Sequence, residues 1–316
     1  MSKLFLSWKD IVRPGVKSLL FLVVLLIVAP ATMIQAQESH AYDYSGGYLI
    51  RHYTNEDYGS SSQVWSATSD ERGIMFFGSN KHLMVYDGAE WAKYQARNKS
   101  IFRSLDVDSN NLVYAGSYNE FGVFLPDSVG GYRYESLSKN LPDSLQKMRD
   151  LWRTHCTSHG VYFASTKKIF RYYDGRVSIV PNSVAPLFAF NIDDILWFVD
   201  ADKGLGKIKN GRVSIIPNTE QFAERKSGIV NIIKRDESHL WLITQYDGIL
   251  LLNTKNNNIS PLNISDALKS YLKMNEVYTV ERIDENRIAL GTIRGGLAIV
   301  NDEGDLLRII DKSRGL

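Results

Sequence analysis

The chain has 316 residues, a formal net charge of +2, and 44% hydrophobic, 11% aromatic and 23% charged residues. This is the composition of a packed globular protein, not of a disordered or collagen-like chain, and it carries no basic footprint for nucleic acid. Cys156 is the single cysteine, which excludes an intrachain disulfide.

The N-terminus comes first. Lys3, Lys9, Arg13 and Lys17 precede an apolar stretch, residues 19–29, and small residues follow, with Ala36 the expected cleavage point. A basic region, a short apolar core and a small-residue site describe a secretory signal peptide over 1–36. The alternative is an uncleaved signal anchor, for which the interrupted run to Ile34 is short. Cleavage removes four positive charges and one negative and moves the net charge from +2 to −1. Either way the remainder is expected to be exported and periplasmic.

From residue 47 the chain reads as short strands. "YLIRHYT" resembles an outer fourth strand without its first three. The first full unit then reads "VWSATSD", "IMFFGS", "LMVYDG", "EWAKYQ", and the second "FRSLDVD", "LVYAGS", "FGVFLP", "YRYESL". In the third, "GVYFAST" leads to "IFRYYDGRVSIV"; in the fourth, "DILWFVD" leads to "LGKIKNGRVSII". The nonapeptides "GRVSIVPNS" (175–183) and "GRVSIIPNT" (211–219) differ at two conservative positions. The fifth unit reads "VNIIKRD", "LWLIT", "ILLLN", "ISPLN", and the sixth contains "RIALGTIRGG". These β-branched and aromatic runs are bounded by Gly, Asp and Asn, where hairpins need positive φ. Residues 265–274, "SDALKSYLKM", are the best candidate for one short helix between units.

Aligning Gly78, Gly116, Ala164, Val199, Thr244 and Gly291 gives steps of 38, 48, 35, 45 and 47 residues. A mean near 43 is the period of a four-stranded propeller blade. The second strand of each unit is nearly continuous apolar, as a strand buried on both faces requires. The expected fold is therefore all-β, a β-propeller of four-stranded antiparallel blades over 37–316. About six blades are present, and the orphan strand at the start makes them an incomplete seven-bladed ring, truncated at the C-terminus. The alternative is a six-bladed ring with a decorated lead-in.

"RGIMFFGSNKHLMVYDGAEW", "SHLWLITQYDGILLLN" and "NRIALGTIRGGLAIVN" resemble the two-component-regulator propeller repeat, and "YGSSSQVW" and "SYNEFGVF" resemble the opening blades of one subgroup. The resemblance runs over about 47–316. In that Bacteroidetes-type subgroup an exported sensor propeller precedes a triple-tyrosine β-domain, a membrane helix and a histidine kinase or LuxR-type output module. The resemblance implies a ligand-sensing propeller of a signal-transduction regulator, with the output module outside this sequence. Ala164 and Val199 depart from the repeat, which has glycine after the second strand.

The sequence contains no nucleophile elbow, Walker loop or H-E-x-x-H. His155 and His159 are expected to be solvated turn residues, and "NDEGD" (301–305) a hairpin turn and not a calcium loop. Asp70, Asp108, Asp236 and Asp284 recur in one column, which marks turn-formers and not catalysts. No catalytic residue, metal or cofactor is expected. A binding site is expected where the first strand of each blade enters the channel: Trp65, Arg103, Arg149 (or Leu151), Phe188, Asn231 and Tyr278. These varied aromatic and polar residues suit a sugar or other small polar ligand, and it is the family resemblance that implies a glycan fragment. A homodimer is a further possible partner, and the membrane is met only through the N-terminal segment or a later helix. The alternatives are a secreted carbohydrate hydrolase or lyase, and a protein-interaction scaffold.

Overall fold

The computed structural model describes residues 50–181, 186–223, 228–245, 248–314 and 316. The expected signal segment, 1–36, lies outside the described residues. Among the described residues twenty-four strands form six four-stranded antiparallel sheets. Blade 1 holds β1 (Val64–Ser69), β2 (Met75–Ser79), β3 (Leu83–Tyr86) and β4 (Trp91–Tyr94). Blade 2 holds β5 (Phe102–Val107), β6 (Val113–Ser117), β7 (Phe121–Pro126) and β8 (Tyr132–Ser136). Blade 3 holds β9 (Leu151–Thr157), β10 (Gly160–Ser165), β11 (Ile169–Tyr173) and β12 (Arg176–Ile179). Blade 4 holds β13 (Pro186–Ile192), β14 (Ile195–Asp200), β15 (Gly204–Lys209) and β16 (Arg212–Ile215). Blade 5 holds β17 (Ile229–Lys234), β18 (His239–Thr244), β19 (Ile249–Asn253) and β20 (Ile259–Pro261). Blade 6 holds β21 (Val277–Arg282), β22 (Ile288–Thr292), β23 (Leu297–Val300) and β24 (Leu306–Ile310). The protein is a β-propeller.

The repeated nonapeptides are a turn plus the outer strand of blades 3 and 4. Asp174 and Gly175 have φ of 48° and 71°, and Asn210 and Gly211 have 51° and 74°. Both central residues in the left-handed region define the hairpin turn whose twist matches its strands. The outer strands they lead into, β12 and β16, are mostly exposed.

Why the second strands are uniformly apolar follows from what each face meets. Leu196 and Phe198 point into a core shared with blade 3, while Trp197 and Val199 point into one shared with blade 5. Leu240 and Leu242 face blade 4, and Trp241 and Ile243 face blade 6. Period-2 alternation thus feeds two cores from one strand. Five such cores join blades 1 and 2, 2 and 3, 3 and 4, 4 and 5, and 5 and 6. Among the described residues no core cluster bridges blade 6 to blade 1.

The small residues of the aligned column have a packing reason. A Cβ on Gly116 would sit 2.5 Å from Ser104 Oγ and 2.9 Å from the Leu151 carbonyl. On Gly78 it would sit 3.1 Å from Phe102 Cβ. Glycine lets the entering strand of the next blade approach.

Residues 50–54 correct the expectation for "YLIRHYT": they form no strand. Instead Tyr53 packs on Tyr86 and Trp91, its hydroxyl donating to that of Tyr86 at 2.7 Å. A single turn, α1 (Asn55–Tyr58), follows, and Tyr58 also meets Trp91. A second single turn is α2 (Asp143–Gln146). The expected helix is α3 (Asp266–Met274), N-capped by Ser265 Oγ accepting from the Leu268 N–H, with Leu268 and Tyr271 buried beneath it. Among the described residues no helix is long and apolar enough to cross a membrane.

Candidate functional site

The inner strands β1, β5, β9, β13, β17 and β21 surround a channel cavity of about 990 Å³. Every one of them breaks register at its entry. Val64 pairs with Ser79 and Ser66 with Gly78, so Trp65 is an extra, unpaired residue. The same bulge falls at Arg103, Trp152, Leu187, Val230 and Tyr278. A bulge re-aims side chains and ends pairing, and a ring of them makes a mouth unlike the regular interior. The next tier inward, level with the aligned column, is Ser66, Ser104, Arg153, Phe188, Asn231 and Thr279.

Five of the six residues expected from sequence line this cavity. Trp65, Arg103 and Tyr278 occupy bulges, whereas Phe188 and Asn231 stand in the second tier. Arg149 does not reach it. It lies exposed in the loop before β9 at φ 63°, its N–H donating to Asn119 Oδ1. Trp152 holds that blade's bulge, because the β9–β10 hairpin turns on two residues and shortens the count. Likewise Ile243, not Thr244, is the column residue of blade 5, as it pairs with Asn231. Counting from paired residues and not from a fixed interval would have found both.

Three of the mouth residues form one stack. The Arg103 guanidinium carbon lies 4.0 Å from the Trp65 ring centre and 4.5 Å from that of Trp152. Its Nε donates to Asp150 Oδ1 at 2.6 Å, and Trp65 Nε1 donates to Asn80 Oδ1 at 2.7 Å. Cation–π attraction and a charge-assisted bond fix the arginine between the two indoles.

Deeper in, the channel wall is stitched blade to blade. Ser66 Oγ accepts from the Leu105 N–H, Ser104 Oγ donates to the Leu151 carbonyl, and His155 Nε2 donates to the Ala189 carbonyl. Lys234 pairs with Asp193 at 2.7 Å, and Asn231 Nδ2 donates to the Val280 carbonyl at 3.0 Å. His155 therefore corrects the expectation of a solvated turn residue: it is a strand residue lining the channel, and burial pushes its pKa down to about 4. Asp106, packed against the next blade and accepting from the Cys156 N–H, is pushed by burial up to about 6. Burial also raises the Cys156 thiol far out of the thiolate range, which fits a packing residue and not a nucleophile.

The repeated aspartates are turn-formers. Asp70 Oδ1 accepts from the N–H groups of Arg72 and Ile74, and Asp108 Oδ1 from those of Asn110 and Leu112. Asp236 and Asp284 accept from Ser238 and Asn286 in the same way. "NDEGD" is a hairpin turn in which Asn301 Oδ1 accepts from the Asp305 N–H. Among the described residues no group of three or more His, Cys, Asp and Glu side chains is placed to hold a metal.

What fold and channel define is a propeller of four-stranded blades with a bulge-ringed mouth. Among solved structures it is similar to the extracellular domains assigned to two hybrid two-component systems of B. thetaiotaomicron. For BT4673 the identity is 17% and the TM-score 0.60, over 80% of this chain and 34% of that one. For BT3049 they are 16% and 0.56, over 85% and 38%. The chain thus spans little more than a third of either. Virginiamycin B lyase of Staphylococcus aureus has the fold too, at 17% identity and TM-score 0.51, over 75% of this chain and 84% of that enzyme. At these identities the likeness establishes the fold, which is the one the repeat resemblance implies. The sequence matches no family model and no curated protein.

Proposed function

We propose that this chain is the extracytoplasmic sensing propeller of a signal-transduction regulator, and that it binds a small polar ligand, such as a glycan fragment, at the channel mouth. The observation that carries the reading is the bulge ring. Strand interiors repeat from blade to blade, whereas Trp65, Arg103, Trp152 and Tyr278 at equivalent bulges are large, varied and half-buried or exposed. Flat aromatic faces beside a few fixed polar groups suit a sugar or similar ring. The fold shared with two regulator ectodomains and the basic, apolar N-terminus support export and sensing. We read the propeller as non-enzymatic, since its regularly placed carboxylates are committed to turns.

The test is titration of the protein with a panel of neutral and acidic oligosaccharides, followed by tryptophan fluorescence and calorimetry. Binding that Trp65→Ala and Tyr278→Ala each weaken by about tenfold is expected, a loss typical of an aromatic anchor. Saturable binding that neither variant changes would place the site elsewhere and defeat the reading.

A further inference from the structure

We propose that the channel receives a molecule bearing an anionic group (a carboxylate, sulfate or phosphate ester) and that Arg153 is the residue that recognises it. This rests on the reading of the channel as a ligand site and narrows the ligand class.

The second tier of the channel carries one charge. Its other members are Ser66, Ser104, Phe188, Asn231 and Thr279. A single departure from an otherwise uncharged ring is where a propeller's specific chemistry stands out against its repeat. The remaining cations lining the cavity are neutralised: Arg103 by Asp150 at 2.6 Å, Lys234 by Asp193 at 2.7 Å, and Arg282 by Asp302 at 2.9 Å. Arg153 has no carboxylate partner among the described residues. Its Nη1 donates to the Trp152 carbonyl at 2.9 Å, and its guanidinium lies 5.7 Å from the Phe188 ring centre.

A guanidinium stays charged in a protein, and a charge held out of water without a counter-ion costs stability. Here burial works against that charge. Five N–H donors in a planar fork, with one spent on the chain's own backbone, match the paired oxygens of a carboxylate, sulfate or phosphate. An anion would supply the missing counter-charge. Phe188 beside it and the Trp65–Arg103–Trp152 stack one tier above would flank the rest of the molecule.

The experiment uses the full chain, with sodium sulfate, sodium phosphate, D-glucuronate and, as the neutral control, D-glucose, at constant ionic strength. Calorimetry and thermal melting are read for wild type, Arg153→Lys and Arg153→Met. At least one anion should bind wild type and raise its Tm, and glucuronate should bind more tightly than glucose. Arg153→Met should weaken the anion by about tenfold or more, with Arg153→Lys intermediate. Without ligand, Arg153→Met should melt no lower than wild type, because methionine replaces an uncompensated cation with an apolar chain. The proposal is overturned if no anion binds, or if Arg153→Met leaves anion affinity unchanged. It is also overturned if that variant lowers the Tm of the free protein while leaving anion affinity intact, since the arginine would then be structural. Neutral oligosaccharides that still require Trp65 and Tyr278 while Arg153→Met binds them normally would overturn the anion but leave the channel as the ligand site.

Discussion

The guanidinium of Arg103 lies 4.0 Å over the ring of Trp65, joining blade 2 to blade 1 at the channel mouth. Trp152 of blade 3 closes the other side, and Asp150 Oδ1 accepts a hydrogen bond from the arginine's Nε–H. With side-chain exposures of 15% for Arg103 and 23% for Asp150, the pair is sheltered enough for its geometry to matter. Arg103→Met should lower stability by about 2 kcal/mol, from the lost cation–π contacts and an acid left without its partner. Urea unfolding checks this. An unchanged midpoint would show the stack to be ornamental.

Glu120 should be among the costliest residues to truncate. Its carboxylate is fully buried and accepts from Ser136 Oγ at 2.6 Å, Ser138 Oγ at 2.8 Å and the Tyr134 hydroxyl at 3.2 Å, with Arg97 on its other oxygen. Glu120→Ala leaves several buried donors without an acceptor and should cost about 3 kcal/mol or more, whereas Glu120→Gln, which keeps an acceptor oxygen, should cost less. Thermal melting of the two variants separates loss of the charge from loss of the whole acceptor group.

Asp106 and His155 should pull the pH dependence of stability in opposite directions. Asp106 has a folded pKa raised to about 6, so the stability tied to its protonated form is present below the ordinary carboxylate range and lost as pH rises through about 6. His155 has one depressed to about 4, so its contribution is present above the ordinary imidazole value and lost as pH falls through about 4. Displacements of this size correspond to about 3 kcal/mol each. Between pH 4 and 6.5, stability of Asp106→Asn should rise with pH more steeply than wild type, and that of His155→Gln should fall. Midpoints measured across this window test both signs.

Gly116→Ala should destabilise by about 1–3 kcal/mol, the range for overpacking. The new Cβ would press on Ser104 Oγ, the Leu151 carbonyl and Thr154 Oγ1, all within 2.9 Å. Gly88→Ala is the control, with φ 98° but nothing within 4 Å, so its cost is conformational and not steric. A Gly116→Ala loss no larger than that of the control would remove the packing account of the column.

Blade number, strand order and the turns were legible because each rests on local chemistry: alternation, continuous apolar runs, and Asp-Gly or Asn-Gly pairs. The mouth was legible in part. Trp65, Arg103 and Tyr278 stand at a constant offset from a column glycine, which survives where the first hairpin keeps its length. Trp152 and Arg153 were hidden by a two-residue turn, and no sequence spacing shows that Arg153 lacks an acid, because its neighbours come from blades far apart in the chain. "YLIRHYT" misled for a related reason: its aromatic pattern suits a strand, but Tyr53 serves to cover Tyr86 and Trp91 of blade 1.

Among the described residues the five cores are each shared by blades consecutive in sequence, which makes this part of the propeller energetically one-dimensional. Its stability is a chain of nearest-neighbour couplings, each blade held by the one before and the one after. Blades 2 to 5 have two such couplings, whereas blades 1 and 6 have one apiece among the described residues. Amide exchange should therefore be slowest in β6, β10, β14 and β18 and quicken toward β2 and β22, so that unfolding travels inward from the two outermost blades.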